Sequence, residues 1–102
     1  MRELILITGL KGSGKTYLGR IIAKEKNAKE VQTLKEIDDS SDIFFIDGTT
    51  VEDFIKINES EFLSTKSLIL TCQNSYETRA IIKRNFNVVR KIKMQLQNNL
   101  KS

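Results

Sequence analysis

The sequence has no histidine and no proline, and its only cysteine is Cys72. Each absence removes a class of chemistry. Without histidine the chain lacks the usual general base near neutral pH and the commonest metal ligand. No Ser/His or Cys/His nucleophile pair can be assembled within it. One cysteine cannot form an internal disulfide, and at the end of an apolar run Cys72 reads as a small core residue. Long hydrophobic runs are also missing: none approaches the roughly 20 residues that span a bilayer. The opening MRELILITG is too short an apolar stretch for a secretion signal and leads straight into a glycine-rich segment. The expectation is a cytoplasmic protein with no membrane contact.

What is present suits one soluble globular domain over residues 1–102, with 39% hydrophobic and 29% charged residues. A chain of this size buries roughly two-thirds of its unfolded surface, so its core is thin. A ligand or association with other subunits would add stability. The formal charge of +4 is unevenly spread. Residues 30–61 are acidic, with Glu36, Asp38, Asp39, Asp42, Asp47, Glu52, Asp53 and Glu59 against Lys35 and Lys56. After Glu77 no acid follows, while Arg79, Lys83, Arg84, Arg90, Lys91, Lys93 and Lys101 do. Two readings stand: solvated faces, or a surface for nucleic acid or for head-to-tail contact between copies. The basic strand and tail at residues 86–102 would carry the phosphate contacts.

Short apolar runs alternate with helical patterns. ELILIT, DIFFID and SLILTC read as buried strands, FNVVRKIKM as a half-exposed one, and a short strand is expected near Val31. KTYLGRIIAKEK reads as a helix with Leu18, Ile21 and Ile22 on one face. TTVEDFIKINESEF reads as another, burying Val51, Phe54 and Ile55. Its start carries two overlapping capping-box spacings, Thr49 with Glu52 and Thr50 with Asp53. NSYETRAIIKRN predicts a further helix capped by Asn74 or Ser75. Strands alternating with helices predict an α/β, three-layer α-β-α sandwich with a mostly parallel sheet of four to five strands.

The most specific signal is Gly9-Leu10-Lys11-Gly12-Ser13-Gly14-Lys15-Thr16, which satisfies G-x-x-x-x-G-K-[ST] between a predicted strand and a predicted helix. Main-chain N–H groups that curl around a phosphate chain need glycines where a Cβ would intrude. The helix start adds partial positive charge and further donors. Lys15 is expected on the β- and γ-phosphates and the Thr16 hydroxyl on Mg²⁺, with Gly9 to Thr16 and the following Tyr17 binding nucleotide. Asp47, closing IFFID at a strand's carboxyl end, suits a second Mg²⁺ ligand, against the plainer reading of an Asp-Gly turn. In LILTCQN the polar Thr71, Gln73 and Asn74 leave a buried strand. Gln73 is the first candidate to position water or sense the γ-phosphate, and Asn74 either seconds it or caps the next helix.

Taken together, GLKGSGKT, IFFID and LILTCQN resemble the Walker A, Walker B and sensor-1 segments of P-loop ATPases of the additional-strand class. The likeness runs towards a minimal AAA+ or superfamily-3-helicase core without a lid domain. AIIKRNFNVV resembles the segment that carries an arginine finger in those proteins, which makes Arg84 the finger, with Lys83 beside it. The resemblance implies ATP and Mg²⁺ as cofactors, ATP hydrolysis, and self-association or membership of a larger replication or packaging complex. It also implies work on nucleic acid. The sequence departs from the pattern at Gly48, where a glutamate usually follows the Walker B aspartate; Glu52 and Asp53 lie one helical turn away. Residues 27–42 are shorter than in that family, so a strand and its helix are expected to be reduced or missing.

Two other readings are open. FIDG and GLKGSGKT also resemble segments of small nucleotide or metabolite kinases. The absent glutamate equally fits a non-hydrolysing, nucleotide-dependent assembly subunit. The GTPase base motif N-K-x-D does not occur.

Overall fold

The structure, a computed structural model, describes residues 2–73 and 86–94. Strands β1 (Glu3–Thr8), β2 (Lys29–Val31), β3 (Ile43–Ile46), β4 (Ser67–Cys72) and β5 (Val88–Lys93) form one sheet in the order β2-β3-β4-β1-β5. Every pairing is parallel. Helix α1 (Lys15–Glu25) follows β1, and α2 (Val51–Glu59) follows β3. The predicted α/β class and parallel sheet are therefore observed.

The apolar runs of β1, β3 and β4 lack strict polar alternation because both faces of these strands are covered. Leu4, Leu6, Phe44, Ile46, Leu68 and Leu70 pack with Phe54 and Ile57 of α2. Ile5, Ile7, Phe45 and Ile69 pack with Ala23, Leu18 and Ile22 of α1 on the opposite face. Cys72 is buried in the α2-side core, as expected of it.

Two predicted helix faces need correction. Helix α2 buries Phe54 and Ile57, while Val51 and Ile55 stay more than two-fifths exposed, at 43% and 44%. In α1 Leu18 and Ile22 pack against the sheet as expected, but Ile21 is exposed and the buried positions are Gly19 and Ala23. Gly19 explains the shift. A Cβ there would stand 2.5 Å from Cε1 of Phe45 and 2.7 Å from its Cζ, so the glycine lets the helix sit down on the ring.

The overlapping caps resolve as well. The Thr50 hydroxyl accepts from the Asp53 N–H, and the Asp53 carboxylate accepts from the Thr50 N–H at 2.9 Å. Thr49 turns to β4 instead, its hydroxyl donating to the Thr71 carbonyl at 2.8 Å.

The shortened segment keeps its strand and loses its helix. Between β2 and β3 only a 3₁₀ turn, Leu34–Glu36, remains, and Leu34 and Ile37 plug the α2 side of the sheet. A groove of about 740 Å³ is left beside α2, floored by Leu34, Ile37 and Leu63. Phe62 also lines it, and the Lys66 ammonium lies 5.3 Å from the Phe62 ring.

Gly19→Ala should lower stability by about 1–3 kcal/mol through overpacking against Phe45. That exceeds the gain of about 1 kcal/mol alanine brings to a helix interior. A urea midpoint unchanged or raised in the variant would contradict this packing.

Candidate functional site

The carboxyl ends of β1, β3 and β4 bring the site together. The sheet stays paired to its last residues: the Gly9 N–H donates to the Cys72 carbonyl at 3.2 Å, and the Met94 N–H to the Thr8 carbonyl at 2.7 Å. Beyond Gly9 the chain leaves the sheet in a loop closed by a hydrogen bond from the Ser13 N–H to the Leu10 carbonyl at 3.1 Å. Gly12 and Gly14 hold φ of +87° and +88°, a region that side-chain-bearing residues avoid. Gly9 is required for space, since a Cβ there would lie 2.6 Å from Ser13 Oγ and 2.9 Å from the Met94 carbonyl oxygen.

Gly14 is the N-cap of α1, and no side chain caps that end. The first intrahelical bond runs from the Leu18 N–H to the Gly14 carbonyl at 3.0 Å. The N–H groups of Lys15, Thr16 and Tyr17 therefore have no intrahelical acceptor. With no acid in this first turn, the positive end of the helix dipole is left uncompensated by its own helix. The Ser13 hydroxyl oxygen is buried without a hydrogen-bond partner, which marks the loop as a place where polar atoms await one. The Lys15 ammonium is 3.5 Å from the Leu10 carbonyl, folded across the loop.

Asp47 follows β3 directly. Alternation along β3 sets it on the same side as Phe45, the α1 side of the sheet. There the Thr16 hydroxyl donates to its carboxylate, 2.9 Å from Oδ1 and 3.0 Å from Oδ2. Thr71 does the same from β4. The register that pairs Ile46 with Leu70 brings Thr71 level with Asp47, and its hydroxyl donates to Oδ1 at 2.5 Å. The Thr71 oxygen also accepts the Gly48 N–H at 2.7 Å, and its carbonyl accepts the Thr49 N–H at 2.8 Å. Gly48 permits the turn with φ of +78°.

One turn further along α1, Arg20 borders the same groove of about 470 Å³ as Lys11, Lys15, Thr16 and Tyr17. Its guanidinium forks onto Glu30, both contacts at 3.3 Å. The hydrogen bond to Glu30 and that residue's charge raise its pKa, with a smaller contribution from Asp47. Arg20 thus stays cationic beside the groove at any physiological pH.

Of the residues singled out in the sequence, Gly9 to Tyr17, with Lys15 and Thr16 among them, meet Asp47 in one place. Gln73 is exposed, one residue beyond β4. Asn74, Arg79, Lys83 and Arg84 lie outside the described residues. Asp53 is committed to capping α2, and Glu52 is exposed in the first turn of that helix. Thr71 carries more of the local geometry than Gln73. The signal for it was present, because the period-two pattern sets Thr71 beyond Ile69 as it sets Asp47 beyond Phe45. Only the pairing of β3 with β4 makes them neighbours.

The donor set suits a small hard cation. Thr16 and Asp47 offer a hydroxyl and a carboxylate, and no cluster of three or more His, Cys, Asp or Glu suited to a metal occurs among the described residues. Mg²⁺ is commonly held by one or two carboxylates together with phosphate oxygens and waters, which these residues fit. Among the described residues no helix is long and apolar enough to cross a membrane. No protein-family model and no curated protein matches the chain.

Gly48→Ala should cost about 1–2 kcal/mol from its backbone conformation alone, since a Cβ there meets nothing within 4 Å. Gly9→Ala should cost distinctly more, because its Cβ meets main-chain oxygen that cannot yield. Thermal unfolding of the two variants side by side checks the order, and the reverse order would contradict the loop described.

Proposed function

We propose that the chain is a P-loop-type protein that binds ATP with Mg²⁺ and hydrolyses it, self-associates, and acts in nucleic-acid replication or movement. The observation that carries this reading is the Thr16–Asp47 hydrogen bond beneath a glycine loop whose helix-start amides lack intrahelical acceptors. The strand order supports it. Strand β4 stands between β1, which feeds the loop, and β3, which carries Asp47, the arrangement for which the additional-strand class is named.

The chemistry follows from the chain's own groups. Amides of the loop and helix start would bind the phosphate chain, and Lys15 would neutralise its outer charge. Thr16 donates its hydroxyl hydrogen bond to Asp47, which leaves its own oxygen lone pairs free to face a cation. Thr16 and Asp47 would hold Mg²⁺, whose charge would offset the negative charge developing in phosphoryl transfer. Arg84 would supply a further cation to a neighbour's site. The basic strand β5, with Arg90 and Lys93 exposed, would contribute phosphate contacts to nucleic acid.

One observation favours a second reading, a nucleotide-dependent assembly subunit that does not turn over. Gly48 occupies the position where the resembled family has an acid, and the nearby Asp53 is tied to the Thr50 cap.

Three measurements separate these. ATP turnover per subunit should rise with protein concentration, and Arg84→Ala should flatten that rise. Lys15→Ala should reduce kcat by roughly 10²–10³-fold. Binding without turnover at any concentration, with or without single-stranded DNA, favours the assembly subunit. DNA affinity should fall steeply with salt, a log–log slope near −0.7 per single-strand phosphate contact. Salt-insensitive binding would remove the nucleic-acid role.

A further inference from the structure

Thr71 is wholly buried at the carboxyl end of β4, yet its hydroxyl serves a residue that is exposed. Asp47 is exposed just past the end of β3 and followed by a left-handed glycine, and its carboxylate accepts from the Thr16 hydroxyl of α1. A carboxylate's last torsion is broad and two-fold, so an exposed aspartate in such a turn samples many orientations. The Thr71 hydroxyl removes that freedom at two points. It donates to Oδ1 of Asp47 and accepts from the next peptide, the Gly48 N–H, so side chain and main chain are fixed by one oxygen. Its carbonyl takes both the N–H and the hydroxyl of Thr49, which extends the clasp to the residue before the α2 cap. A valine would fill the same volume without either hydroxyl contact. Packing alone therefore does not account for a threonine here.

We propose that Thr71 is a positioning residue for the site's divalent cation. It engages Oδ1 of Asp47 and leaves Oδ2, which it does not touch, and the Thr16 oxygen presented to the cation and its water. Thr71 itself touches neither cation nor nucleotide. Partners of this kind, one step removed from a metal, typically govern affinity by 10–100-fold. This inference rests on the Mg²⁺–ATP reading above.

The test uses the full chain with two variants, Thr71→Val and Thr71→Ser. A fluorescent ATP analogue is titrated first without magnesium and then with increasing Mg²⁺. In Thr71→Val the Mg²⁺ needed for half-maximal tightening should rise by roughly 10–100-fold. Affinity without magnesium should stay as in the wild type, and thermal unfolding should confirm an intact fold. Thr71→Ser, which keeps the hydroxyl, should follow the wild type. Equal Mg²⁺ dependence in the valine variant and the wild type would overturn the proposal. So would a serine variant as impaired as valine, since that points to methyl packing. Amide hydrogen exchange at Gly48 provides a readout without nucleotide: exchange should accelerate in Thr71→Val and not in Thr71→Ser. If the wild-type chain binds no nucleotide but the exchange result holds, the function fails and the clasp is a purely structural device, which also overturns the positioning role.

Discussion

A hydroxyl at the start of the first helix reaches a carboxylate at the end of the third strand across the end of β4, which lies between β1 and β3, with the helix on the face Asp47 points to. Register and alternation set this up: Thr8 is level with Cys72, Ile46 with Leu70, and Asp47 shares a side with Phe45 and the α1-facing core. The glycine loop, the helix start and the Asp47 turn have a common function only through this contact. Gly19 contributes from a distance, because it lets α1 approach the sheet closely at Phe45. A higher-riding helix would carry Thr16 away from Asp47.

The distribution of burial fits such a site. The three central strands are nearly sealed, with Leu4, Leu6, Ile7, Phe44, Phe45, Leu68 and Leu70 all at 0% exposure. The loop and the Asp47 turn that rise from them are open to solvent. A rigid floor with polar atoms at its rim positions groups accurately while leaving them accessible to a ligand. The edges are treated differently. Strand β2 has three residues, and its crossover to β3 has shrunk to a 3₁₀ turn, whereas β5 runs beside β1 for six residues and ends against the loop. Glu3 ties that edge together, bonding Lys26 of the segment after α1 at 2.7 Å and Arg90 of β5 at 3.5 Å.

Much of this was legible in the sequence because the signals were local. Apolar runs bounded by glycine or polar residues marked the five strands found among the described residues, including the short one near Val31, and G-x-x-x-x-G-K-[ST] placed the loop between β1 and α1. Which residues of a helix are buried was less legible. Ile21, Val51 and Ile55 are as hydrophobic as the residues that do pack, and the selection depends on where each helix crosses the sheet. Thr49 and Thr50 offered equivalent caps until the Thr71 carbonyl claimed Thr49. The importance of Thr71 was hidden for the same reason, since it follows from a strand pairing between residues 24 apart.

On the function proposed above, main-chain amides from Gly12 to Tyr17 would enclose a polyphosphate whose cation would lie beside Thr16 and Asp47. Amide NMR of the full chain during titration with ATP and Mg²⁺ addresses it residue by residue. Saturable shifts are expected at Gly12 to Tyr17 and at Gly48. Amides lining the groove beside α2, such as those of Lys35 and Lys56, should stay in place. Shifts confined to that groove, or none at millimolar nucleotide, would contradict it.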